Sequence, residues 1–400
     1  MLKRLPRSLH LEDWSLSAWM AGVLAVLVSY AGPLVIFIQA AQAGGFDHQM
    51  TTSWLWAISF GGGVFAILMS LWLKVPVVAG WSAPGTALLL SMMPGVGMPE
   101  IVGAYLLAAL ILIAIGLSGW FQKILDLIPE GIAAGMMAGI LFQFGAQAFK
   151  VAEQSPGLVG AMLLAYLLGK RFTPRHAIVL VALTGFGLAF LMGQTQLGTV
   201  SLDIARPVFT APSFSLDIFF SLTLPLVLVS LSGQYLPGFT IMRLSDYPVP
   251  PRAILGASGA ISCITAFFGG ITTVLAAISA AICTGPDAHP DPRKRYVAGI
   301  ANGVFYLVGA TFAGSIVALF AALPPALTAT LAGLGLAGAI GTNLRILSQD
   351  ARQIEASTLT FLTTASGVTL LGLGSAFWGV VVGLATHWLL RPRSPNQGIS

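Results

Sequence analysis

The sequence predicts an all-α polytopic membrane protein: fourteen transmembrane segments in two inverted seven-helix repeats, with short strands before half-helices 3 and 10. Three observations carry that expectation. The 400 residues are 56% hydrophobic and only 8% charged, where a soluble domain is about a quarter charged. Apolar stretches at 14–41, 51–73, 101–121, 297–323 and 374–390 reach the roughly 20 residues a helix needs to cross about 30 Å of hydrocarbon. The third is repetition, since VLVSYAG at 26–32 returns as VLVSLSG at 227–233.

The elements follow in order. Helix 1 is expected at 14–41; QAAQAGG (39–45) resembles a signal-cleavage site, but the apolar run before it is about twice a signal peptide's ~7–15 residues. Helix 2 covers 50–73. VPVVAGW (75–81) is β-branched, and its Pro76 and Gly80 suit a helix interior poorly, so it reads as a strand. Ser82 then caps a short helix 3 (82–94), with Pro84 in its first turn. Helices 4 to 7 are expected at 99–121, 128–150, 156–170 and 175–193, helix 8 at 215–242 and helix 9 at 252–268. FFGG (267–270) interrupts the chain before a short helix 10 (272–284), with Thr272 or Thr273 as its candidate cap. Helices 11 to 14 complete the set at 295–321, 324–345, 353–372 and 374–390.

Charge sorts the topology. With the basic N-terminus (Lys3, Arg4, Arg7) inside and sides alternating, 17 of the 19 basic residues fall inside and only Lys150 and Arg206 outside, as the positive-inside rule requires. Both termini are therefore expected in the cytoplasm, and the basic balance needs no nucleic-acid partner. Seven helices per unit is odd, so the second unit enters from the opposite side. The heptapeptides lie in helices 1 and 8. GWSAPGTALLLSM (80–92) pairs with GITTVLAAISAAI (270–282), and IPEGIAAGMMAGI (128–140) with LPPALTATLAGLG (323–335). Inverted repeats of this kind build a site at the bilayer midplane from broken helices.

Two such breaks in matching positions place helix N-termini, with their free N–H groups and partial positive charge, at one point. That favours an anion or a carbonyl-rich ligand. Tyr30 on helix 1 and Ser230, Ser232, Gln234 and Tyr235 on helix 8 add an aromatic wall and neutral donors suited to a small aromatic carboxylate. No Asp, Glu, Lys, Arg or His lies mid-span; Glu130, Arg345 and His387 lie near helix ends. A coupled proton would travel either with the substrate as its neutral acid or through a group at a helix end. A membrane enzyme would need nucleophiles, bases or metal ligands converging at depth, and a channel a polar stripe over several helices; neither pattern is present. Cys263 and Cys283 form no CxxC pair. GLGLAG (333–338) lies within helix 12 without the strand a dinucleotide fingerprint needs. GPDAHPDPRKRY (285–296), despite Asp287, His289 and Asp291, reads as a stiff cytoplasmic loop rather than a metal site. Gly135/Gly139 and Gly299/Gly303 read as helix-packing positions. No metal or cofactor is expected.

At GWSAPGTALL (80–89), SLSGQYLPG (230–238) and FGG…LAAISAAICTGPDAHPDPRKRY (268–296) the chain resembles the benzoate:proton symporters of bacterial inner membranes, and the resemblance runs over essentially its whole length. It implies the seven-plus-seven fold of nucleobase and sulfate-type anion carriers. A substrate-carrying core (14–123 and 215–321) would move elevator-like against a gate (124–214 and 322–391), flanked by cytoplasmic ends at 1–13 and 392–400, with homodimers common. It also implies substrate contacts at Tyr30, Ser82, Ala83, Gly85, Ser232, Gln234, Thr272 and Thr273, with Tyr235 alongside. Tyr235 stands where the family often has Asn, and Val274 where it has a polar residue. The carboxylates that nucleobase carriers place in helices 8 and 10 are missing. The expected partners are an aromatic carboxylate, protons and the lipid bilayer.

Overall fold

In the computed structural model, residues 13–390 are described apart from 32, 94, 124–128, 175–176, 196–201, 369 and 372–374. Basic residues used in the topology argument at 3, 4, 7, 175, 391 and 393, and the expected tail at 392–400, lie outside the described residues. The first half of the described chain runs α1 (Leu16–Ala31), α2 (Pro33–Ala43), α3 (His48–Leu73), β1 (Ala79–Trp81), α4 (Ala83–Ser91), α5 (Met98–Ser118), α6 (Glu130–Lys150), α7 (Pro156–Phe172) and α8 (Ala177–Leu191). The second runs α9 (216–244), α10 (Pro251–Ala266), β2 (Thr273–Leu275), α11 (Ala277–Thr284), α12 (Tyr296–Thr311), α13 (Ala313–Ala321), α14 (Pro325–Leu347), α15 (Ile354–Ala365) and α16 (Ser375–Leu389).

Local chemistry sets the boundaries. Asp47 caps α3 by accepting from the Met50 N–H at 2.7 Å, and Lys74 closes it in the left-handed region at φ 55°. α1 and α2 lie on either side of residue 32, and Leu16–Ala43 is together one candidate span, in keeping with the expected helix 1. The expected helix 11 bends by 70° between α12 and α13. α9 is continuous but widens into π-helical turns at Phe219–Thr223 and Leu231–Tyr235. Among the described residues six helices are long and apolar enough to cross a membrane, or seven with the bent α12–α13 pair as one span.

Helix 10 differs most from its expectation. Thr273 is not a cap but the first residue of β2, and α11 begins at Ala277 behind Ala276, which offers no side-chain cap. The β-branched Thr273 and Val274 follow strand preference and pair with β1 instead of opening a helix.

Two bodies of packing result. α3 lies along α12, α5 along α10, α1 along α12, and α2 along α4. Separately, α6 packs on α14 and α15, α15 on α16, and α7 on α8. Glycines allow the closest approaches: a Cβ on Gly303 would stand 2.6 Å from the Gly63 carbonyl of α3, and one on Gly139 would stand 2.9 Å from the Phe361 carbonyl of α15. The bodies meet where α4 and the second π-turn of α9 touch α6, where α2 touches α14 and where α1 touches α8. An extended segment crosses the ends of the first body, with Ala205, Val208, Thr210 and Ser213 N–H groups donating to Thr311, Ser53, Phe267 and Pro99 respectively.

Candidate functional site

The site is built on a two-stranded antiparallel ribbon in which Ala79 faces Leu275, Gly80 faces Val274 and Trp81 faces Thr273. The ladder extends past both ends, Ser82 N–H donating to Thr272 at 3.2 Å and Ala276 N–H to Val78 at 3.0 Å. Two strands leave outer edges unpaired, which is costly away from water. Side chains complete them. Ser70 Oγ lies 3.1 Å from the Val77 nitrogen and donates to its carbonyl at 3.2 Å. Asn302 Oδ1 accepts from Ala79 N–H at 3.4 Å, and Ser262 Oγ accepts from Thr273 N–H at 2.9 Å. Tyr235 donates to the Thr273 carbonyl at 3.0 Å.

Because the strands are antiparallel, α4 and α11 leave in opposite directions. Their N-termini sit at the two ends of the ribbon, about 10 Å apart for three residues at a strand's rise. At the α4 end Ser82 Oγ accepts from Gly85 N–H at 3.2 Å, the cap expected of it. Ser230 Oγ, from α9, donates to Ser82 Oγ at 3.2 Å and lies 3.3 Å from Thr272 Oγ1. The three hydroxyls are fully buried.

The other expected residues divide by direction. Ala83 and Gly85 are buried in the first turn of α4, where a Cβ on Gly85 would meet Ser82 Oγ at 2.9 Å and Ile271 Cδ1 at 3.1 Å. Ser232 and Gln234 lie half-buried on the π-turn; Ser232 Oγ donates back to the Leu228 carbonyl at 2.7 Å. Between them, a Cβ on Gly233 would stand 2.6 Å from Met137 Cε of α6. Tyr30 bonds Ser59 of α3 at 2.7 Å through its hydroxyl. Tyr235 and Thr273 face the scaffold: Tyr235 is also 2.6 Å from Ser258 Oγ of α10, and Thr273 Oγ1 is 2.8 Å from where a Gly61 Cβ would stand.

Sequence reasoning missed Trp81 and Tyr306. Their rings and that of Tyr30 stand 5.8–6.2 Å apart in a mutual cluster, and the buried Trp81 Nε1 has no hydrogen-bond partner among the described residues. Trp81 was legible only as the residue before a cap. Met137, the contact from α6, gave no signal in an apolar run.

No Asp, Glu, Lys, Arg or His is buried among the described residues. Charge gathers instead in the loop after α11. There Asp291 bonds the Arg293 guanidinium at 3.1 Å, which holds its carboxyl below the ordinary value, and Asp291 N–H meets His289 Nδ1 at 2.9 Å. Arg295 donates to the Thr284 carbonyl at 2.8 Å, placing a cation on the C-terminus of α11. The chemistry at the ribbon is therefore neutral hydrogen bonding beside aromatic faces.

Comparison with known proteins places this arrangement. The family model described as benzoate membrane transport protein matches residues 12–389. A benzoate membrane transport protein of Acinetobacter baylyi is 50% identical over 384 residues, 96% of this chain and 98% of that protein. The inner membrane protein YdcO of Escherichia coli is 36% identical over 364 residues, 91% of this chain and 93% of that one. Among solved structures, SLC26A9 superposes with a TM-score of 0.62 at 15% identity, over 96% of this chain and 66% of that one. The transmembrane domain of the cyanobacterial bicarbonate transporter BicA gives 0.54 at 15% identity, over 97% and 99%. These two likenesses establish the helical transporter fold. With the family match spanning nearly the whole sequence, the chain belongs to the benzoate membrane transport protein family and is a membrane transporter, not an enzyme.

Proposed function

We propose that the protein imports benzoate, or a closely related small aromatic carboxylate, together with protons across the bacterial inner membrane. The observation that carries this reading is the buried hydroxyl cluster of Ser82, Ser230 and Thr272 at the start of α4, beside aromatic faces and at the contact between two helical bodies. The 50% identity to a benzoate membrane transport protein supports the substrate class. In this reading the chain crosses the membrane fourteen times as two inverted repeats, with both termini cytoplasmic. Segments 14–123 and 215–321 form a core that carries the ligand, and 124–214 and 322–391 form the gate against which it moves, elevator-like, within a homodimer. Tyr30, Ser82, Ala83, Gly85, Ser232, Gln234 and Thr272 contact the substrate. Tyr235 and Thr273 hold the ribbon behind them.

The test is uptake of labelled benzoate into proteoliposomes with and without an imposed inward proton gradient. Empty liposomes are the control, because neutral benzoic acid crosses bilayers unaided. Protein-dependent accumulation that collapses with an ionophore is expected. Uptake no better than in empty liposomes would remove benzoate as the substrate and turn the search to other small anions.

A further inference from the structure

The hydroxyl cluster has a direction. A serine or threonine hydroxyl has one proton to donate and two lone pairs to accept with. Ser230 spends its proton on Ser82, so in its 3.3 Å contact with Thr272 it must accept, and Thr272 donates. Ser82 Oγ accepts twice, from Ser230 Oγ–H and from Gly85 N–H. Both of its lone pairs are then occupied and its own proton has no acceptor among the described residues. A one-way chain runs Thr272 to Ser230 to Ser82 and ends in a single unspent donor, fully buried at the first turn of α4.

We propose that Ser230 is a positioning residue of the transport site: by donating to Ser82 it turns the Ser82 O–H outward as the donor to a carboxylate oxygen of the substrate. The proposal rests on the reading that an aromatic carboxylate binds at the start of α4. Two physical effects support the arrangement. Each hydroxyl that accepts a hydrogen bond becomes a better donor, so the chain strengthens its last bond. A bond from a neutral donor to a charged acceptor is also stronger than one between neutral groups. Without Ser230, the Ser82 proton loses its orienting partner and Thr272 loses the acceptor of its own hydroxyl.

The experiment is a double-mutant cycle on the purified full-length protein in detergent, with benzoate affinity measured by calorimetry. Ser82→Ala and Ser230→Ala are each expected to weaken binding by about tenfold, the scale of one lost hydrogen bond. Because Ser230 acts through Ser82, the double variant should bind no more weakly than Ser82→Ala alone. Should Ser230→Ala fail to fold, Ser230→Cys runs the same cycle with a weaker donor, reducing affinity in the native background and not in Ser82→Ala. Additive losses in a protein that binds benzoate would overturn the positioning role alone, since a packing defect adds independently of Ser82. Failure of the unmutated protein to bind benzoate would overturn the substrate reading and this proposal with it.

Discussion

Tyr30 of α1 shares a hydrogen bond with Ser59 of α3 at 2.7 Å, and Tyr235 of α9 shares one with Ser258 of α10 at 2.6 Å. Each tyrosine thus fastens a crossing helix to the next, once in each half of the chain. Tyr235 also donates to the ribbon, so Tyr235→Phe leaves Ser258 and the Thr273 carbonyl short of a partner in a buried region. A loss of about 1–3 kcal/mol is expected, read as a lower thermal midpoint in detergent, with benzoate affinity of the folded protein nearly unchanged. A tenfold loss of affinity at an unchanged midpoint would instead put Tyr235 on the ligand. The sequence marked both tyrosines as polar groups near the breaks, and the resemblance put Tyr30 among the substrate contacts with Tyr235 alongside. Which way they point depends on serines 23 and 29 residues away, and no local pattern encodes that.

At the scale of elements, the approach to β1 depends on one glycine. A Cβ on Gly299 of α12 would stand 2.9 Å from the Val77 carbonyl and 3.0 Å from its nitrogen, and would press on Ser70 Oγ, the side chain that holds Val77 in place. Gly299→Ala is therefore expected to cost about 1–3 kcal/mol, as overpacking does, and to slow uptake by shifting the strand that leads into α4. A thermal midpoint and a transport rate both equal to the native values would refute it. The long helices and the two breaks were legible because hydrophobic length, the Pro76 and Gly80 and the FFGG interruptions, and the capping Ser82 are local signals. The start of α11 was not. A short strand before helix 10 was expected, but its place at Thr273–Leu275 is fixed by its register with β1, a tertiary pairing that the local sequence does not show. The extended strap from Ala205 to Ser213 was equally hidden, since its hydrogen bonds go to the ends of distant helices.

For the whole molecule, the contact between Gly233 and Met137 spans the two bodies. If one slides past the other during transport, this pair must separate. A protein carrying Met137→Cys and Gly233→Cys, with Cys263 and Cys283 replaced, should lose uptake when treated with a short thiol crosslinker and keep it when either new cysteine is absent. Full uptake by the crosslinked protein would exclude relative movement at this contact. The residues that touch between the bodies come from apolar runs in which any side chain looks like its neighbours, so the sequence did not mark them.

The ribbon also fixes a schedule. β1 belongs to the first half of the chain and β2 to the second, and each is the other's only strand partner among the described residues. As the chain leaves the ribosome, Gly80 is made long before Val274. At ~5–20 residues per second that gap lasts roughly 10–40 s. Throughout it the β1 segment has peptide groups without a backbone partner, a state hydrocarbon does not tolerate. The newborn first half must therefore stay at the translocon, at the water boundary or under a chaperone until its complement arrives, and neither half can mature alone.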